Sequence, residues 1–190
     1  VLTRIQEKKD SIDILDPDAL KQLHFLEAAK LGNEAVLNYS NRLADKCEEE
    51  AGKTDDSEYK KELMELAEIC RYVPFHPART FQEAVQSIFM VLLAVHMESN
   101  GHAISLGRFD QYVYPLYKKD IEEGRITKEK ALEIIECFFI KCNELNKLRS
   151  WPDTEFFMGY QMFINLAICG QTVEGKDATN DISRMCIQAC

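Results

Sequence analysis

The sequence predicts a mostly helical stretch with two short extended segments. Three observations point there. Apolar residues recur at helical spacing over long runs, as in Leu20, Leu23, Leu26, Ala29, Val36 and Leu43. Residues that start and stop helices punctuate the chain at regular intervals. Extended character is confined to two runs, His102–Ser105 and Met162–Cys169. With 190 residues, 46% hydrophobic and 29% charged, the composition is that of one globular domain or part of a larger one. The 8 Gly and 5 Pro exclude collagen-like and low-complexity chains.

Asp16-Pro17-Asp18 reads as the start of the first long helix, with an Asp N-cap and Pro at the first helical position. This helix is expected to reach about Glu50, with Gly32-Asn33 the place for a kink and Asp45–Glu50 a solvated acidic end. Gly52–Asp56 is a turn. A second helix presents Leu63, Leu66, Ile69 and Cys70 on one face and ends before Pro74 and Pro77. Thr80 with Glu83 forms a capping box for a third helix. That helix is apolar on all sides from Ile88 to Val95, which predicts burial on every side. It stops at Asn100-Gly101. The extended His102–Ser105 then turns at Leu106-Gly107, and a helix over Phe109–Glu123 tolerates Pro115 and closes at Gly124. Thr127 opens a helix to about Asn146 with Leu132, Ile135, Phe138 and Phe139 as its core face. Ser150–Glu155 reads as loop, and Met162–Cys169 as a strand ended by Gly170. After a turn at Gly175-Lys176-Asp177, Asp177 or Thr179 caps a last helix carrying Ile182, Met185, Cys186 and Ala189.

Charge narrows the partners. The net charge is −9 and no basic run occurs, so neither nucleic acid nor an anionic membrane surface is an expected partner. The longest apolar run, Ile88–Val95, is too short to span a bilayer. Val1–Asp10 has no signal-peptide character. The first residue is not Met and the last lies inside a helical pattern, so the expectation is an internal piece, 1–190, of a larger domain with both ends truncated. Seven cysteines (47, 70, 137, 142, 169, 186 and 190) include no C-x-x-C pair. They fit reduced, mostly buried residues of a cytosolic protein better than a disulfide framework or a zinc site; no metal is expected.

Chemistry concentrates in Glu98-Ser-Asn-Gly-His102-Ala-Ile-Ser105-Leu-Gly-Arg108-Phe-Asp110. Two glycines let the backbone turn tightly, and polar side chains crowd against apolar sequence. Glu98, Asn100, Ser105, Arg108 and Asp110 read as a mutually bonded network, with Arg108 paired to Glu98 or Asp110. His102 then stands at the mouth of any cavity there, where an imidazole can hold a substrate hydroxyl or move a proton. The alternative is that the whole cluster is a satisfied structural network.

That run resembles the glycyl radical enzymes of the pyruvate formate-lyase superfamily. So do Val73-Pro-Phe-His-Pro-Ala-Arg-Thr-Phe-Gln-Glu-Ala-Val-Gln-Ser-Ile-Phe89 and Asn165-Leu-Ala-Ile-Cys-Gly-Gln-Thr-Val-Glu-Gly-Lys-Asp-Ala-Thr-Asn180. The likeness covers most of the chain, most strongly from Glu68 onward, and leans to the glycerol and diol dehydratase-like branch. It implies part of a ten-stranded α/β barrel. It also implies that the two residues after Asn-Gly, here His102-Ala103, lie against substrate, with His102 catalytic. Dehydratases similar to this chain commonly have His-Ser there, so Ala103 departs from them by losing a hydroxyl. Phe157 resembles an aromatic position that packs on substrate.

The resemblance implies a lyase that eliminates water or another leaving group from a small hydroxylated molecule. A thiyl radical is fed by a glycyl radical, which a radical-SAM activating enzyme installs; no cofactor is bound directly. It further implies an anaerobic, cytoplasmic homodimer, with a bacterial microcompartment a second location. The Gly-Cys-x-Glu motif of the radical cysteine and the Arg-Val-x-Gly loop of the radical glycine do not occur in these 190 residues, so the piece alone is expected to be inactive. Cys169, in Ile-Cys-Gly, is expected to pack rather than react. Competing readings are a pyruvate formate-lyase-like formate C-acetyltransferase, which His102 disfavours, and a non-catalytic helical scaffold or decayed paralogue.

Overall fold

A computed structural model describes residues 1–98, 103–145, 150–157 and 164–190. The chain divides into two compact units, Val1–Arg71 and Tyr72–Cys190.

The first unit is helical. α1 (Leu2–Asp10), α2 (Ala19–Ala51) and α3 (Ser57–Tyr72) follow one another. α1 was not legible: charges surround its apolar residues, and only Ile5 is buried. α2 is unbroken through Gly32-Asn33, where the Asn33 amide donates back to the Ala29 carbonyl at 2.7 Å. Its N-cap is Asp18, two residues later than expected, because Asp16 uses its carboxylate to accept the Asp18 N–H in a turn. What α2 and α3 bury is small: Ala44, Ala51, Ala67 and Cys70. The Ser40 hydroxyl donates to the Cys70 carbonyl at 2.6 Å, which satisfies a buried polar group where α2 meets the end of α3.

The second unit holds the large apolar core. α4 (Phe81–Glu98), α5 (Phe109–Glu122), α6 (Lys128–Glu144) and α8 (Asp181–Gln188) surround it, with α7 (Trp151–Phe157) and two strands, β1 (Ser105–Arg108) and β2 (Asn165–Ala167). Phe81, Val85, Phe109, Val113, Tyr117, Ile135, Phe138 and Ile182 form its centre. Phe109 and Phe138 stack at 5.4 Å, nearly parallel.

Buried carboxylates tie the helix ends. The Phe81 N–H, one of the unpaired donors of the α4 N-terminus, donates to Asp120 at 2.7 Å, and Arg125 holds the other Asp120 oxygen. Thr80 caps α4 as expected: its hydroxyl accepts the Glu83 N–H at 3.2 Å, and a backbone hydrogen bond from Thr80 reaches back to the carboxylate of Glu83. That carboxylate also accepts from the Arg79 N–H at 2.6 Å and from the Arg79 guanidinium, which lies over the Tyr72 ring. A nearby cation is the stronger partner.

Other expectations are corrected here. Among the described residues α4 packs chiefly on α5 and α6, and Val91, Val95 and Met97 are exposed, so burial on every side is not met within these 190 residues. No turn interrupts Leu106-Gly107. Gly107, at φ +69°, lets β1 bulge and continue to Arg108. Ser150–Glu155 is not loop throughout, since α7 starts at Trp151. Pro152 is tolerated there because first-turn N–H groups have no helical partner. The last helix is capped by Asn180, not by Asp177 or Thr179. Asn180 and Ser183 cap each other reciprocally, whereas the Asp177 carboxylate accepts from Thr179.

Candidate active site

β1 and β2 are parallel, with Ser105 opposite Asn165 and Arg108 opposite Ala167. β1 spends one more residue than β2 between those pairs, the bulge that Gly107 absorbs. The pairing starts where the Asn165 N–H donates to the Ile104 carbonyl at 3.2 Å.

Beyond β2 the chain passes through two left-handed residues, Cys169 at φ +63° and Gly170 at φ +89°. Asp110 and Arg108 hold this turn from both sides. The Cys169 N–H donates to Asp110 Oδ2 at 2.7 Å. The Arg108 guanidinium donates to the carbonyls of Cys169 at 2.9 Å and Gln171 at 3.1 Å. The same Asp110 oxygen accepts the Ser183 hydroxyl, and the Asp110 carbonyl accepts from the Asn180 amide at 3.1 Å. The Gln111 side chain donates to the Ala178 carbonyl at 2.8 Å. Asp110 is fully buried, and its Oδ1 has no hydrogen-bond partner among the described residues.

The residues singled out from sequence are therefore distributed as follows. Asp110 and Arg108 meet on one turn, but not as a pair. Arg108 is exposed and serves backbone carbonyls, so it needs neither Glu98 nor Asp110 to neutralise it in a buried setting. Glu98 ends α4 and Ser105 opens β1; both are exposed and neither bonds to Arg108 or Asp110. Ala103 is exposed at φ +49°, a conformation rare for alanine, just before the paired Ile104. Phe157 closes α7. Asn100 and His102 lie outside the described residues.

Ser183, Asn180 and Gln111 were missed. The spacing Asn180-x-x-Ser183 was a readable capping signal; the reach of both side chains to Asp110 was not. Burial, and then the nearby Asp110, pushes the Cys186 thiol up to about 12, and burial pushes Cys142 up to about 12. Neither is a thiolate at neutral pH. Among the described residues no group of three or more His, Cys, Asp or Glu is placed to hold a metal ion.

The sequence model of the pyruvate formate lyase-like proteins matches residues 1–190. The chain belongs to the pyruvate formate lyase-like family. Among relatives of this family, an isethionate sulfite-lyase of Nitratidesulfovibrio vulgaris is 38% identical over 190 residues, covering 97% of this chain and 23% of that protein. A structure of 1,2-propanediol dehydration in Roseburia inulinivorans superposes with a TM-score of 0.95 at 44% identity, over 99% of this chain and 24% of that one. The glycerol-bound B12-independent glycerol dehydratase of Clostridium butyricum gives 0.92 at 41% identity, again over 99% and 24%. This pyruvate formate lyase-like chain thus spans about a quarter of the length of the proteins it matches. Its helices and parallel strand pair are a piece of their α/β barrel.

Proposed function

We propose that the full-length protein carrying this chain is a glycyl radical lyase. It would eliminate water or another leaving group from a small hydroxylated substrate. The observation that carries this reading is the 44% identity and 0.95 TM-score to a structure of 1,2-propanediol dehydration, across nearly the whole chain. The glycyl radical, installed by a radical-SAM activating enzyme, supplies hydrogen abstraction through a cysteine; both residues belong to motifs that do not occur in this sequence.

What this chain contributes is one wall of the site. His102 donates a hydrogen bond to the retained hydroxyl or a proton to the departing one. Ala103 offers a methyl group where a serine would offer a hydroxyl, which makes that wall less polar. Phe157 packs on the substrate. The relatives' names span 1,2-propanediol, glycerol and isethionate, so the leaving group is water or sulfite.

The test is product profiling by mass spectrometry on the full-length protein, activated under anaerobic conditions, with 1,2-propanediol, glycerol and isethionate. One substrate of the set should turn over. His102→Ala should lower that rate about 10²-fold or more, the scale of an acid–base group. Ala103→Ser should move preference toward glycerol. Wild-type rates in His102→Ala on every substrate would overturn the assignment of that residue. Activity with pyruvate and coenzyme A instead would select an acyltransferase, and a full-length protein on which no radical can be installed would select a scaffold.

A further inference from the structure

The peptide turn at Cys169 is gripped at both of its polar groups. Its N–H is held by Asp110, and its carbonyl by Arg108. A left-handed Cys169 next to a left-handed Gly170 is a conformation that needs such support. A side chain at Gly170 would crowd the guanidinium, because an added Cβ would stand 3.4 Å from Arg108 Nη2. Asp110 also binds the capping Ser183, so the turn is tied to the start of α8.

We propose that Arg108 and Asp110 are positioning residues, a clasp that fixes the register of β1 against β2 and so places Ala103 and Ile104 at the entry to β1. The positioning part rests on the reading above, in which Ala103 stands against substrate. The strands are four and three residues long and β1 is bulged. Parallel pairs are also slightly less stable per residue than antiparallel ones. So short a pair specifies its own register weakly. A slip by one residue would move β1 by about 3.3 Å and turn every side chain to the opposite face. It would also take Cys169 out of hydrogen-bond reach of Asp110 and Arg108 together. The clasp therefore accepts one register only.

The experiment uses the full-length protein with Arg108→Met, Arg108→Lys and Asp110→Asn. The Arg108 guanidinium is exposed, so its variants keep the core even if the buried Asp110→Asn does not fold. Hydrogen exchange reads the pairing at single amides. In Arg108→Met the Asn165 and Cys169 amides should exchange about 10-fold faster, with α6 unchanged and Arg108→Lys in between. In the activated enzyme kcat should fall about 10-fold or more while KM stays within about twofold, the signature of a misplaced wall rather than lost binding.

Unchanged exchange at Asn165 would overturn the clasp whatever the turnover, and so would faster exchange throughout the unit. Faster local exchange with kcat and KM both unchanged would overturn the positioning role. Faster local exchange in a protein that turns over no hydroxylated substrate would support the register lock and overturn the lyase reading instead.

Discussion

The two units are built from the same helix-forming residues but are held in different ways. In Val1–Arg71 the buried side chains are small apart from Ile5, among them Ala19, Ser40, Ala44, Ala51 and Ala67, and most charged pairs are on the surface. In Tyr72–Cys190 the buried side chains are large, and the carboxylates of Glu83, Asp110 and Asp120 are buried with them. Small residues let helices approach closely without fixing any one contact, whereas stacked rings and buried carboxylates fix particular partners. Removing a single group should therefore matter much more in the second unit than in the first.

The sharpest way to break this comparison is Phe138→Ala. Phe138 is 4% exposed and stacks on Phe109. Its loss leaves a cavity between α5 and α6 worth about 3–5 kcal/mol. Hydrogen exchange on the full-length protein should show protection in α5 and α6 falling by about 10² to several times 10³, with α2 unaffected. A loss below about tenfold would mean that this core closes over the gap as readily as one lined by alanines.

A smaller effect should come from acid, through Glu83. Burial raises its carboxyl, but hydrogen bonds from Arg79 outweigh burial and hold it below the usual value of 4.5. A carboxyl lowered in the folded state stabilises the protein above its unfolded value. That contribution is lost as pH falls from about 4.5 through the folded value. Protection at the start of α4, corrected for intrinsic exchange, should fall about 2- to 4-fold between pH 6 and pH 4. Glu83→Gln should flatten the pH profile. An unchanged profile in the variant would show that the Arg79 pair contributes nothing to this end of the helix.

The division between the units also sorts what could be read from sequence. Helices with strong periodicity, such as α6 with Ile135 and Phe138, were legible because packing follows the same spacing that marks them. Asp110 stood out as a polar residue beside apolar sequence, and it is buried and bonded. Its partners were not legible, because Ser183 is 73 residues away and the Cys169 donor is a backbone group with no side-chain signature. Arg108 was misjudged for a related reason: a guanidinium satisfied by carbonyls leaves no complementary charge in the sequence. α4 was misjudged because an all-round apolar pattern tells how apolar a helix is, not which neighbours cover it. Val91 and Val95 are exposed in these 190 residues. His102, on which the proposed chemistry leans, was chosen by resemblance and lies outside the described residues.

The smallest effect should be at Arg71. Its guanidinium bonds to Asp45 at 2.6 Å and to Glu48 at 3.0 Å, and these partners hold it above its usual value. In number of bonds this cluster rivals the one around Asp110, yet all three side chains are exposed. Water solvates each charge nearly as well when the pair is broken, and salt screens what attraction remains. Arg71→Ala should therefore change protection in α2 and α3 by no more than about twofold, and the change should vanish by about 0.5 M salt. A larger loss that persists in high salt would show that the Arg71 stem packs between the two helices. The first unit would then depend on a specific contact after all, as the second does.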